Sequence, residues 1–162
     1  MNISDHITYK EATDSITAKR NGIDNTPGDE ELLNMIEIAE KVFEPLRKGL
    51  GDKPIRISSF FRSKELNVKV GGSTRSQHCK GEAMDLKAYT HTTNRKIAKY
   101  IIDNLVFDQL IDEFPEDGEP SWVHVSYKRN GPNRKEVLRS FKENGGTRYI
   151  KLDKLAIKEL LG

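Results

Sequence analysis

The chain has 162 residues, 32% of them charged and 35% hydrophobic, with a net charge of +2. That length suits one domain with one core. No apolar run reaches the ~20 residues of a membrane span, and so small a charge makes no case for nucleic acid. The single cysteine, Cys79, excludes an internal disulfide framework.

Residues 1–26 read as an N-terminal arm of short helical pieces and turns. The sequence Met1–His6 lacks the basic and apolar regions of a secretory signal, so no signal peptide is expected. Leu32, Ile36, Ala39, Phe43, Leu46 and Leu50 then recur at steps of four and three, an apolar stripe along one helix. Thr26-Pro27 with Asp29 marks its start, and Pro45, which lacks a backbone donor, is expected to kink or end it. Ile55 to Phe60 reads as a strand and Lys64 to Val70 as a short helix stopped by Gly71-Gly72. Glu82 to Tyr89 reads as a second strand. Asn94 to Leu105 is helical, with Ile97, Ile101 and Leu105 four apart and Thr92 or Thr93 as cap. Phe107–Phe114 and Trp122–Tyr127 form an antiparallel pair around the polar loop Pro115–Pro120. Asn133 to Phe141 suits a surface helix, Tyr149 to Leu152 an edge strand, and Asp153 caps a last helix. Strands and helices do not alternate regularly, so the expected class is α+β, a largely antiparallel sheet with flanking helices.

Ser76-Gln77-His78-Cys79-Lys80-Gly81-Glu82-Ala83-Met84-Asp85 and, further on, Ser121-Trp122-Val123-His124-Val125 carry the chemistry. In a strand, alternate side chains share a face, which sets Asp85 opposite Met84 and Leu86, and His124 opposite Val123 and Val125. Two neighbouring strands then present Asp85 and His124 side by side. His78 approaches from the preceding loop, and Gly81 permits the turn between them. Two histidines and one aspartate supply three zinc ligands and leave a fourth position for water, the arrangement of a catalytic rather than a structural site. His6 and His91 lie outside these segments and read as surface or turn residues. Cys79 reads as a small packing residue, and Lys128-Arg129 with Arg134-Lys135 as a solvated basic face.

The order of these pieces resembles the zinc D-alanyl-D-alanine carboxypeptidase family, which includes VanY-like enzymes and phage endolysins, and is most similar to its small phage branch. The likeness rests on Gly22–Pro27, Ser59-Phe60-Phe61-Arg62-Ser63, Asn67, Gly71-Gly72-Ser73, Ser76–Asp85, Phe107–Glu113 and Trp122–Ser126. It implies a hedgehog-like fold, with one peptidase domain over residues 1–145 and a C-terminal extension over 146–162. It also implies one zinc per chain held by His78, Asp85 and His124, with Arg62 near the substrate and Ser76 either bonding the substrate or orienting its loop. Relatives often carry an acid or a histidine shortly before the last zinc histidine; here the residue three before it is Ser121. Glu113, matching the end of the family's F-D-Q-L-I-x-E element, becomes the expected general base, with Glu119 as the other candidate. Phe60, where many relatives have glycine, is expected to narrow the cleft.

The implied function is zinc-dependent hydrolysis of D-alanyl bonds in peptidoglycan stem peptides, by a carboxypeptidase or an endopeptidase associated with a phage. Such a protein is expected to be a monomer without nucleic-acid partners. It would sit in the cytoplasm of the producing cell or on a virion and act at the bacterial cell wall. The alternative is a virion component of the same fold that binds wall peptides and hydrolyses little.

Overall fold

The computed structural model describes residues 1–162. A small hairpin, β1 (Asn2–Ser4) and β2 (Ile7–Thr8), leads into two short helices, α1 (Tyr9–Thr13) and α2 (Ile16–Asn21). One long helical stretch follows as α3 (Asp29–Ile38), a π-helical turn (Ala39–Phe43) and α4 (Glu44–Gly49). Next come β3 (Arg56–Ser59), α5 (Lys64–Lys69), a 3₁₀ turn at Gln77–Lys80, β4 (Ala83–Lys87) and α6 (Asn94–Asn104). The chain closes with β5 (Gln109–Glu113), β6 (Trp122–Ser126), β7 (Glu136–Glu143), β8 (Gly146–Lys151) and α7 (Lys154–Leu161).

Six strands form one sheet in the order β3-β4-β6-β5-β7-β8, antiparallel throughout except for the parallel pair β5 and β7. The class is therefore α+β with a mostly antiparallel sheet and flanking helices, as the sequence pattern implies. Strand alternation divides the sheet into two unlike faces. Met84, Leu86, Leu110, Val123, Val125 and Val137 point into the core, where they meet Met35, Ile38, Val42, Leu46, Ile97 and Ile101 from the helices. The opposite face carries Asp85, Glu113 and His124 toward a cleft.

Pro45 does not end the long helix. It sits in the first turn of α4, directly after the π-helical turn. A π turn adds a residue and shifts the hydrogen-bonding ladder, which relieves the missing donor and the ring clash of a proline inside a helix. The same insertion rotates the apolar face. Met35, Ile38, Val42 and Leu46 are fully buried, whereas Leu32, Ile36 and Leu50 of the simple stripe are only partly covered.

The segment Asn133–Phe141 is not a surface helix. Glu136–Glu143 is β7, paired along its length with β5 on one side and β8 on the other. Its residues have fair helix propensity, but Val137 and Ser140 are buried by neighbouring strands, and sheet packing overrides the local preference. Residues 146–162 supply β8 and α7, and Leu152 and Leu160 belong to the same hydrophobic core as the rest.

Asp108, fully buried beside β5, organises the loop that returns the chain to β7. It accepts from Arg134 Nε at 2.9 Å and Nη2 at 2.8 Å, and from Gln77 Nε2 at 3.1 Å. Lys128 Nζ lies 3.7 Å away. Burial pushes its carboxyl up, but the hydrogen bonds and charge of Arg134, with the charge of Lys128, outweigh this and hold it below the ordinary value of 3.8. A depressed folded-state pKa stabilises the fold above the unfolded value and ceases to do so as pH falls through the folded one. Arg134→Ala is expected to cost about 2 kcal/mol at pH 7, discounted because half of Arg134 faces solvent. In urea titrations the gap from wild type should shrink as the pH is lowered below 3.8.

Candidate metal centre and cleft

The floor of the site is set by strand register. Asp85 pairs with His124 across β4 and β6, so both side chains rise from the same face. His78 comes from the 3₁₀ turn, whose backbone is held by Ser76: the His78 amide donates to Ser76 Oγ at 3.3 Å. Gly81 ends that turn at φ +70°, and a Cβ there would lie 2.4 Å from the Glu31 carbonyl oxygen. Both the left-handed conformation and the close approach of α3 therefore require glycine.

The donor atoms of His78, Asp85 and His124 all lie within 4.8 Å of one another. His78 Nε2 is 3.3 Å and His124 Nδ1 is 3.0 Å from the same oxygen, Asp85 Oδ1. Tetrahedral zinc with bonds of roughly 2.05 Å sets neighbouring donors about 3.3 Å apart, so these separations are edges of such a polyhedron. His78 Nδ1–H donates to the Phe60 carbonyl at 2.6 Å, which leaves a lone pair on Nε2. That Nε2 is buried and has no hydrogen-bond partner. A buried imidazole lone pair facing a carboxylate oxygen is repulsive unless a cation lies between them, and two imidazoles with one carboxylate form a set that zinc fits. Burial pushes the Asp85 carboxyl up, yet the two imidazoles beside it hold it well below the usual range. It therefore offers a carboxylate for binding at any ordinary pH.

A cleft of about 750 Å³ opens above this floor. Arg62, Ser76 and Glu113 all line it, and Glu119 and Phe60 do not. Glu113 is 7% exposed at the end of β5, and Ser140 donates its hydroxyl to Glu113 Oε2. Burial raises the Glu113 carboxyl above the ordinary glutamate range, with Asp85 and Asp112 adding to the rise and Ser140 and His124 opposing it. The Nε of Arg62 is buried without a partner. Glu119 instead accepts from the Arg95 amide at 2.9 Å and fastens its loop to α6. Ser121 donates to the Phe114 carbonyl at 2.6 Å and serves the turn. Phe60 is 2% exposed in the core, so its ring does not narrow the cleft. Only its carbonyl reaches the site, through His78.

Outside the cluster, His6 Nδ1 lies 2.7 Å from Glu44 Oε2, and the His91 ring stacks on Tyr89 with centroids 6.4 Å apart. Much of the basic face is paired, Arg129 with Glu30 and Arg134 with Asp108. Sequence reasoning missed one wall of the cleft, formed by Leu138, Thr147 and Tyr149 of β7 and β8. In register terms Trp122, Glu113, Ser140 and Tyr149 form one row across four strands. Burial and the nearby Glu113 and Asp85 carboxylates push the Tyr149 phenol up. The alternation Glu136-Leu138-Ser140 was the available signal for this wall.

The family model for peptidase M15 matches residues 5–126, about three-quarters of the length, and the chain belongs to that family. A 45-residue stretch, 28% of the chain, is 44% identical to a zinc D-Ala-D-Ala carboxypeptidase of Streptomyces albus G. The match spans 18% of that relative's length.

Purified protein is expected to hold close to one zinc per chain by elemental analysis. His124→Ala should lose most of it, because two remaining donors do not maintain a tight tetrahedral site. Equal zinc in the two proteins would remove the site.

Proposed function

We propose that the protein is a zinc-dependent peptidase that hydrolyses D-alanyl bonds in peptidoglycan stem peptides. The observation that carries this reading is the convergence of His78 Nε2, Asp85 Oδ1 and His124 Nδ1 on the floor of a cleft whose walls include Glu113 and Arg62. The likeness to a zinc D-Ala-D-Ala carboxypeptidase supports the substrate class.

His78, Asp85 and His124 would hold the metal. When bound, zinc supplies Lewis acidity, which brings the pKa of water to about 7 and polarises the scissile carbonyl. Glu113 then takes the proton of the attacking water and returns it to the leaving amine. Its burial suits it to both halves of that transfer, since a raised pKa brings carboxylate and carboxylic acid closer in energy near neutrality. Ser140 fixes the orientation of the carboxylate. Arg62, in the cleft lining, would offer its guanidinium to substrate oxygen, either a carboxylate or the developing oxyanion. Ser76 acts through its turn, by holding the His78 backbone.

The alternative, a wall-binding protein with little catalysis, would rest on Ser121 standing in place of an acid. The bond from Ser121 to Phe114, together with Glu113 in the cleft wall, favours hydrolysis. Phage association, action at the cell wall and a monomeric state complete the proposal.

Glu113→Gln keeps size and hydrogen-bonding capacity but removes the proton acceptor. It should retain zinc and lose roughly 10²–10⁴-fold in kcat on a synthetic stem peptide, whereas Glu119→Gln should change little; the reverse ranking would move the base to the loop. Arg62→Lys replaces a planar fork by a point charge and should lower kcat/KM by about ten-fold or more. A rate within two-fold of wild type would free Arg62 of any part in turnover.

A further inference from the structure

The sheet sets Arg62 and Tyr149 on opposite sides of the metal centre. Arg62 follows β3, one edge strand, and Tyr149 stands on β8, the other edge. Between these edges lie β4 and β6 with Asp85 and His124, and then β5 with Glu113. Both Arg62 and Tyr149 line the cleft. Tyr149 pairs with Ser140, and Ser140 with Glu113, so Tyr149 rises on the same face as Glu113, two strands further out. Strand spacing puts their backbones roughly 10 Å apart. We infer that Tyr149 is a substrate-binding residue: its hydroxyl donates a hydrogen bond to a main-chain carbonyl of the bound peptide, beside the scissile bond, and holds the chain from the side opposite Arg62. This inference rests on the hydrolytic reading above and deepens it.

The surroundings of Tyr149 support that role. Ser140, its cross-strand neighbour, is small and fully buried, and its hydroxyl is committed to Glu113. A serine opposite a tyrosine leaves the longer side chain free to lean inward over it. Thr147, the next residue on the same face of β8, also lines the cleft, so this edge strand turns one face to the substrate. Tyr149 is 53% exposed, a large ring with a polar tip on an open wall. Such a side chain offers apolar contact along the ring and a donor at its end. Burial, with the Glu113 and Asp85 carboxylates, keeps the phenol above its ordinary 10.0, and Arg62 opposes the rise. The phenol therefore keeps its proton at neutral pH and serves as a donor. Groups from β5, β4 and the turn after β3 all act on it, which sets it toward the cleft rather than out in solvent. Main-chain carbonyls are acceptors that every peptide presents. The competing role for Tyr149 is a cover, with the ring shielding the Ser140–Glu113 hydrogen bond and the hydroxyl idle.

The two roles differ in the atom that matters, so the test removes the hydroxyl and keeps the ring. Zinc-loaded wild type, Tyr149→Phe and Tyr149→Ala are compared on a stem pentapeptide ending in D-Ala-D-Ala. Binding of a phosphinate analogue of that peptide, followed by calorimetry, gives a readout without turnover. Tyr149→Phe is expected to retain zinc and to raise KM about five- to ten-fold, the upper range for one neutral hydrogen bond. Its kcat should stay within two-fold, the pattern of a binding interaction kept alike in ground and transition states. The phosphinate should bind more weakly by a similar factor, and Tyr149→Ala should lose at least as much. A Tyr149→Phe enzyme within two-fold of wild type in KM would overturn the inference and leave the ring as a cover. A loss confined to kcat would overturn it too, by placing the phenol in the reaction instead of in binding. If wild type does not cut the peptide, the hydrolytic reading fails and the phosphinate decides on Tyr149. Equal binding by wild type and Tyr149→Phe, or none by either, would then remove the role.

Discussion

The antiparallel register of β4 against β6 is the constraint on which the site depends. Met84 pairs with Val125 and Leu86 with Val123, all four fully buried. The residue between them on β4, Asp85, must then rise on the other face opposite His124. A slip of one residue would send the apolar side chains into the cleft and the carboxylate into the core. The hydrophobic demand of the core thus fixes two of the three donors. Their convergence is unfavourable on its own, and it is sustained by packing on the opposite side of the sheet.

The third donor is fixed by hydrogen bonding. Asn25 donates to the Thr13 carbonyl at 2.9 Å and to the Phe61 carbonyl at 3.1 Å, and accepts from the Ser63 amide at 2.7 Å. One side chain therefore ties the N-terminal arm to the Phe60–Ser63 turn. Phe60 and Phe61 anchor that turn in the core, its carbonyl at Phe60 orients the His78 ring, and the Arg62 amide donates back to the His78 carbonyl at 3.3 Å. Metal ligands owe their tautomer and aim to such outer partners. The resemblance to a known pattern at Gly22–Pro27, far in sequence from the donors, acquires a physical sense from this chain of contacts.

What the sequence made legible was whatever local pattern and motif encode together. The donor trio, the α+β class, the β5–β6 pair and the placement of Gly81 all follow from alternation, spacing and turn chemistry. Three features were not legible because they depend on partners distant in sequence. The identity of β7 was hidden because Asn133–Phe141 has fair helix propensity, and only β5 and β8 on either side make it a strand. The burial of Met35, Ile38 and Val42 follows from a π turn that no simple periodicity reveals. Phe60 is expected in the cleft because many relatives have glycine there, but its ring turns inward to the core.

The division of labour within the cleft follows from where its parts arise. Asp85, His124 and Glu113 stand on central strands packed between other strands, where backbone positions are held from both sides and geometry is most precise. The walls come from separate segments: the Val70–Ser73 loop after α5, and Leu138, Thr147 and Tyr149 of β7 and β8. The second of these walls lies beyond residues 5–126, the span matched by the family model. Because the walls pack on the rim rather than beneath the metal centre, their side chains can change without disturbing the Asp85–His124 register. A rigid polar floor with walls drawn from separate segments lets the preference for substrate shift while the hydrolytic chemistry stays in place.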